Sequence, residues 1–146
     1  VIRRAEDLAA PADGESGEEV RAPGHVEQAA HLGGWLLERL RQLQPAGLNA
    51  SARGLGLLVG LELRNADGSP ATETSLRIIT QMLALGFILL PEGEHANVIA
   101  FTPPLSITER QLDRALTVLK GLLELSRRRT AGIGSRAGMV SRANLI

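Results

Sequence analysis

Hydrophobic residues in the central part of the chain, residues 25–126, repeat alternately with a helical period and with a strand period. From His25 to Gln44 they recur every three or four residues, which is typical of an amphipathic helix, and Pro45 ends the pattern. In Gly60–Arg64 apolar and polar residues alternate, as in a half-buried strand. These changes of period predict a mixed fold in which helices pack on a small sheet.

The middle of the sequence continues this alternation. The segment Asn65–Pro70 is rich in turn-forming residues, and a second helix is predicted over Glu73–Leu85. Two short strands are predicted over Phe87–Leu90 and Asn97–Thr102, joined by the polar loop Pro91–Ala96. The side chains expected to face inward from the second helix are Leu76, Ile79, Met82 and Leu83.

A third helix has the clearest start signal. Thr108 and Gln111 form a capping box, in which each side chain can satisfy a free backbone N–H group. The predicted order is therefore helix, strand, helix, strand, strand, helix. This order predicts an α/β chain of the two-layer α+β type, a small sheet covered by helices on one face. Because the chain has only two Phe and one Trp, its core must be built from aliphatic side chains.

Charge divides the chain into three parts. Residues 1–24 contain six acids and three Arg, and residues 127–146 contain five Arg and no acid. We therefore expect a mobile acidic N-terminal segment (1–24), a folded body (25–126) and a basic flexible tail (127–146). Gly132 and Gly134 are expected to break any helix in the tail.

Composition excludes several classes of function. The net charge is zero, which argues against a nucleic-acid partner, and the absence of Cys removes thiol nucleophiles and Cys-based zinc sites. The longest apolar stretch, Met82–Pro91, is about half the length that a membrane span needs. No charged-then-apolar signal opens the sequence, so we expect a cytoplasmic protein with no membrane partner.

Motifs that would carry chemistry on their own are absent or weak. Gly54 and Gly56 precede an alternating strand rather than a helix, which favours close backbone packing over a phosphate-binding loop. His31 has one carboxylate, Glu27, at helical spacing, which is too little for a metal site. Lys120 is the only lysine and is expected at the surface of its helix. The residues themselves thus predict no catalytic, cofactor-binding or metal-binding side chain.

Three blocks of sequence carry a resemblance to a known family. Arg53–Leu63 (RGLGLLVGLEL), Leu85–Pro91 (LGFILLP) and Asn97–Thr108 (NVIAFTPPLSIT) are similar, in this order and spacing, to the C-terminal small domain of class III pyridoxal-phosphate-dependent aminotransferases. The first helix also resembles the helix that leads into that domain. The resemblance covers about residues 25–126, whereas residues 1–24 do not resemble the family's large domain.

The resemblance implies a fold-type I enzyme that uses pyridoxal phosphate to move an amino group between an amino donor and a 2-oxo acid. In the family, the Schiff-base lysine and the other cofactor-binding residues lie in the large domain, and Lys120 does not match that lysine. The resemblance therefore implies a fragment or truncated member that is not active alone and is not expected to bind the cofactor alone. Its partner would be the missing large domain or a full-length subunit, and the parent enzyme would be a homodimer.

Four residues are expected near the substrate by resemblance. Many relatives that act on carboxylate-bearing substrates have an arginine where this chain has Ala100, and an arginine there would bind a substrate carboxylate with two hydrogen bonds. Ala100 lacks that group, which leaves the amino donor open. The four substrate-adjacent residues are Asn97, Ala100, Phe101 and Thr102.

A second interpretation comes from a different class of function. A chain without cofactor-binding residues can be a stand-alone, non-catalytic interaction domain or a decayed remnant whose exposed face binds a partner. That interpretation predicts an apolar surface patch larger than a few hundred Å².

Overall fold

Three helices and four strands follow one another in a computed structural model that describes residues 23–136. Their order is helix, strand, strand, helix, strand, strand, helix, numbered by type along the chain. The bounds are α1 Pro23–Arg41, β1 Leu48–Leu55, β2 Leu58–Asn65, α2 Thr72–Ala84, β3 Leu90–Glu92, β4 Val98–Phe101 and α3 Glu109–Arg136.

The four strands form one antiparallel sheet in the order β1-β2-β4-β3. β1 and β2 are a hairpin that turns at Gly56 and Leu57. Gly56 has a φ of +54°, which the first position of a type II′ turn requires and which glycine adopts without steric cost. β4 lies between β2 and β3, so the segment resembling the family's third block is an inner strand.

All three helices pack on one face of the sheet. The buried core joins Leu36 of α1, Ile78 of α2 and Leu119 of α3 to Leu61 and Ile99 of the two inner strands. The core is almost entirely aliphatic, as the composition predicts, and the predicted two-layer α+β architecture is confirmed.

The capping box that begins α3 is also confirmed. The backbone N–H of Gln111 donates to the Thr108 hydroxyl at 3.3 Å, and the N–H of Thr108 donates to the Gln111 side-chain oxygen at 2.9 Å. The backbone N–H groups of Thr108 and Gln111 are therefore both satisfied within the chain.

Two predictions about the helices were wrong. Leu76 and Leu83 of α2 are exposed, because the buried side of this helix is rotated and consists of Ser75, Ile78 and Met82. α3 continues to Arg136, although Gly132 and Gly134 were expected to break it. Glycine costs about 1 kcal/mol in a helix but leaves its backbone hydrogen bonds intact.

Two predictions about the strands also need correction. β1 is not predicted by the sequence, and β3 begins at Leu90 rather than spanning Phe87–Leu90. Leu90 is the first residue that pairs with β4, opposite Ala100, whereas Leu89 is buried and joins the core. Residues 1–22 and 137–146, which hold most of the predicted terminal segments, lie outside the described residues. The three-part division of the chain stays a prediction.

Candidate functional site

The sheet has a second face that none of the three helices covers. Side chains alternate between the two faces of a strand, and residues paired across neighbouring strands point to the same face. Because Leu61 and Ile99 face the helices, the residues next to them in β2 and β4 face away. The residues of this open face are Asn49, Ser51, Arg53, Leu55, Leu58, Gly60, Glu62, Arg64, Leu90, Glu92, Val98 and Ala100.

Ala100 lies at the centre of the open face. It pairs with Gly60 on one side and with Leu90 on the other, and it is only 2% exposed. Its methyl group offers no charge and no hydrogen bond, so the centre of this face holds no group that could bind a carboxylate directly.

The other three substrate-adjacent residues do not join Ala100 on the open face. Phe101 is buried in the core on the helical side of the sheet. Thr102, directly after β4, is exposed and lines a groove of about 700 Å³ whose other walls come from residues 85–90, from Pro103 and Pro104, and from residues 106–115 at the start of α3. The structure thus brings Phe101 and Thr102 to one groove, and Ala100 and Asn97 do not line it.

Asn97 is buried at the start of β4 and holds three elements together. Its side-chain Nδ2 donates to the Leu63 carbonyl at 3.0 Å and to Glu62 Oε1 at 3.5 Å. Its backbone carbonyl accepts from the Leu63 N–H at 2.8 Å and from the Ser75 hydroxyl at 3.3 Å. These contacts join β2, β4 and α2, so Asn97, through its side chain and its backbone carbonyl together, fixes the position of the strand that carries Ala100.

A charged cluster on the open face was not predicted. Glu62 accepts from Arg64 through Oε1 at 2.7 Å and from Arg53 through Oε2 at 3.2 Å. Only 16% of the Glu62 side chain is exposed, against 46% for Arg64 and 69% for Arg53. Two arginines therefore share one carboxylate, beside Gly60 and Ala100.

The environment of Glu62 favours its charged form. Burial by itself raises the pKa of this carboxyl, but the hydrogen bond and positive charge of Arg64, the amide of Asn97 and the charge of Arg53 outweigh it. The resulting pKa lies below the ordinary value for Glu. A carboxyl with a lowered pKa in the folded state stabilises the fold above its unfolded pKa. That stability is lost as the pH falls through the folded pKa.

We expect Glu62→Gln to lower the free energy of unfolding at pH 7 by about 1 kcal/mol, since both arginines are partly exposed. The variant should also flatten the fall in stability that the wild type shows below about pH 4. Urea unfolding at a series of pH values measures both effects. Arg64→Gln should flatten the curve similarly, whereas Arg77→Gln on α2 does not touch Glu62 and should keep the wild-type slope. An unchanged slope in the Glu62 variant would show that the cluster does not hold the carboxyl charged.

Lys120 lies away from the open face. It is exposed on α3, at a groove of about 510 Å³ between α1 and α3 that Arg39, Asp113 and Glu124 also line.

Among residues 23–136 no three His, Cys, Asp or Glu side chains lie together as a metal site would require. In the same part of the chain, no helix is long and apolar enough to cross a membrane.

Sequence reasoning missed the arginine–glutamate cluster because it depends on the pairing of β1 with β2. Arg53 and Glu62 are separated by a hairpin turn, and only the register of that hairpin places them diagonally across from each other. The alternation in Gly60–Arg64 indicates that Glu62 and Arg64 share a face, but it does not indicate that Arg53 joins them.

A family model described as "Aminotransferase class-III" matches residues 5–123 of the chain. The match includes most of residues 1–24, although the resemblance found in the sequence covered only about residues 25–126. The chain is 36% identical over 97 residues to an acetylornithine aminotransferase from Myxococcus xanthus, covering 64% of this chain and 22% of the relative. It is 30% identical over 96 residues to an alanine/serine racemase from Pyrococcus horikoshii, covering 65% of this chain and 20% of the relative.

Solved structures show the same similarity. A phospholyase from Arthrobacter in complex with phosphoethanolamine superimposes with a TM-score of 0.65 at 26% identity, over 69% of this chain and 25% of that one. An aminotransferase from Bacillus anthracis gives a TM-score of 0.62 at 26% identity, over 70% of this chain and 24% of that one. The chain spans about a fifth of the length of the curated relatives it matches.

Proposed function

Because the chain belongs to the class III aminotransferase family, we propose that it is the small-domain portion of a pyridoxal-phosphate-dependent transaminase. The parent enzyme moves an amino group between an amino donor and a 2-oxo acid, and this portion is not active alone. The observation that carries the proposal is the family match over residues 5–123. The fold supports it, since it superimposes on about one quarter of the length of each of two much longer proteins.

Pyridoxal phosphate is the family's cofactor, and it supplies the electron sink for amino transfer. The described residues do not fit the part of the enzyme that holds it. Lys120, the chain's only lysine, is exposed on α3 in the helical layer, on the opposite side of the sheet from Ala100. Glu62, the most buried carboxylate of the open face, is already paired with two arginines. On this proposal the lysine that binds the cofactor lies outside this sequence, and the other cofactor-binding residues lie outside the described residues 23–136.

The small domain then contributes to the parent enzyme by shaping the open face of the sheet and by holding its strands in position. Asn97 fixes β4 against β2 and α2, and β4 presents Ala100 at the centre of the open face. The open face and the adjoining surface also expose several large apolar side chains that the described chain does not cover. These are Leu55, Leu58, Ile88 and Leu90. A domain that packs against the rest of a larger enzyme exposes such residues when it is seen by itself.

Amino transfer by the parent enzyme is tested on the native polypeptide that carries this sequence, captured from its own cells with an antibody against α3. It is incubated with added pyridoxal phosphate, pyruvate and a panel of primary amines and amino acids, and the amino product is quantified by chromatography. We expect turnover by the native polypeptide and no detectable turnover by the 146-residue chain. Lys120→Arg should leave the rate of the native polypeptide unchanged.

Two outcomes would contradict the proposal. Because one relative is a racemase, the panel includes L-alanine without an acceptor, and racemisation without amino transfer would assign a different reaction. A native polypeptide with no turnover of any panel member would favour the stand-alone interaction domain, for which the exposed apolar side chains would be the binding surface.

A further inference from the structure

The connection between β2 and α2 contains an Asp-Gly pair, Asp67–Gly68, in which both residues are exposed. Such a pair can isomerise without any enzyme. The Gly68 amide nitrogen attacks the Asp67 side-chain carbon Cγ, an N–Cγ bond forms, and the Cγ hydroxyl leaves with the amide proton as water. A second water opens the resulting succinimide ring. Opening at the main-chain carbonyl of Asp67 gives isoaspartate, in which the chain runs through Cβ, whereas opening at Cγ restores aspartate.

The carboxylate that would be attacked is held by Ser69. Its Oδ1 atom accepts from the Ser69 hydroxyl at 2.6 Å and from the Ser69 backbone N–H at 2.9 Å. These two bonds hold the pKa of Asp67 below its ordinary value, and the bond from the hydroxyl contributes most. The hydroxyl itself accepts from Asn65 Nδ2 at 2.9 Å. Because an ionised carboxylate has no hydroxyl to lose as water, this arrangement disfavours ring closure.

The amide that would attack is also engaged. The Gly68 N–H donates to the Asn65 carbonyl at 2.9 Å, which closes a β-turn. The Gly68 carbonyl accepts from Arg64 Nη1 at 3.0 Å, and the φ of Gly68 is +84°, a value that glycine adopts without steric cost. Both reacting groups are therefore hydrogen-bonded within the turn, although solvent reaches them.

We propose that Asp67 is a latent site of isoaspartate formation, and that the Ser69 hydroxyl suppresses the reaction in the folded chain. Before the ring can close, the carboxyl must leave Ser69, take up a proton and meet a Gly68 amide that has left Asn65. The fraction of chains in this open arrangement falls with the strength of the bonds that must break. The proposal concerns the turn alone and does not depend on the proposed enzymatic function.

Isomerisation would alter the connection from β2 to α2. Isoaspartate adds one CH₂ group to the main chain inside a loop that is closed by the bond from the Asn65 N–H to the Ser69 carbonyl, at 2.8 Å. Shortly after this loop, the Ala71 N–H donates to the Leu63 carbonyl at 3.1 Å, and α2 begins at the next residue. We expect the longer main chain to break the bond between Asn65 and Ser69 and to weaken the attachment of the first turn of α2.

The test follows isoaspartate in the 146-residue chain during long incubation in a mildly acidic buffer, with and without guanidinium chloride. Peptide mapping by mass spectrometry quantifies isoaspartate at each position. Asp13–Gly14 is the other Asp-Gly pair of the sequence and lies outside the described residues, so it serves as a reference in denaturant. There we expect similar rates at both pairs. In the folded chain we expect Asp67 to react at least about tenfold more slowly than in denaturant, since hydrogen bonds to a charged group must open first.

Three serine variants separate the hydroxyl from other effects. Ser69→Ala removes the hydroxyl and keeps the backbone N–H, and it should abolish most of the difference between folded and denatured chains. Ser69→Thr retains a hydroxyl and should keep the slow rate of the wild type. Ser106→Ala removes an exposed hydroxyl from the segment before α3 and should also react as the wild type does. Because Ser69 is exposed, its variants are expected to fold, and circular dichroism verifies this.

Equal rates at Asp67 in the folded and the denatured wild type would overturn the proposal. So would an unchanged rate in folded Ser69→Ala. An acceleration in Ser69→Thr as large as that in Ser69→Ala would also contradict it, because the hydroxyl would then not be the protecting group.

Discussion

Replacing Gly33 by alanine is expected to lower the free energy of unfolding by about 3 kcal/mol, because α1 crosses the β1–β2 turn at that residue. A Cβ at position 33 would lie 1.9 Å from the Gly56 carbonyl oxygen and 2.3 Å from its carbonyl carbon. Both atoms belong to the backbone, so they cannot rotate away as a flexible side chain would. The helix must move outward or the hairpin turn must shift, and either change separates Leu32 and Leu36 from the sheet.

The next residue provides a matched control. Gly34 lies in the same helix, is exposed, and has no atom within 4 Å of the position a Cβ would take. Gly34→Ala should therefore stabilise the chain by about 0.5–1 kcal/mol, the usual gain for alanine over glycine in a helix. Urea unfolding of both variants measures the difference. Equal free energies for the two would show that α1 does not approach the β1–β2 turn as closely as described.

The contact at Gly33 illustrates which features of the fold the sequence can predict. The periodicity from His25 to Gln44 places Gly33 on the inner side of the first helix, and the structure confirms that position. The partner of Gly33 is Gly56, more than twenty residues away, and no local pattern identifies it. Local propensity and periodicity describe single elements, whereas close backbone contacts depend on how the elements pack.

The missed strand has a different physical reason. In β1 the residues facing the helices include Ala50, Ala52 and Gly54, which alternate with Asn49, Ser51 and Arg53. The alternation is present, but alanine and glycine are too small to give a strong hydrophobic signal. By contrast, β2 has Val59, Leu61 and Leu63 at the inward positions, and that strand was predicted.

The candidate site was predicted less well than the fold, because part of it depends on β1, the strand that the sequence did not predict. The resemblance directs attention to Ala100, and the structure places this residue at the centre of the open face. The cluster of Arg53, Glu62 and Arg64 needs the register of a strand that was not predicted. Asn97 was expected near the substrate, and its observed contacts are with the Leu63 backbone, Glu62 and Ser75. Its role toward a substrate stays a prediction.

If this chain is the small-domain portion of a transaminase, the lysine that binds the cofactor lies outside residues 1–146. Lys120 is the only lysine of the chain, and it is exposed between charged side chains on the helical side of the sheet. A lysine that forms a covalent bond with a carbonyl cofactor is usually desolvated, whereas Lys120 is exposed at the rim of a groove that is also lined by charged side chains. We therefore expect the native polypeptide to hold pyridoxal phosphate on another lysine.

The most direct measurement is the position of the covalent cofactor in the native polypeptide. The polypeptide is captured from its own cells, reduced with borohydride to fix the cofactor to its lysine, and analysed by intact mass and peptide mapping. We predict a mass several times the 15.5 kDa of this chain and a modified lysine outside this sequence. A native mass near 15.5 kDa with no modified lysine, or a modification at Lys120, would contradict the account.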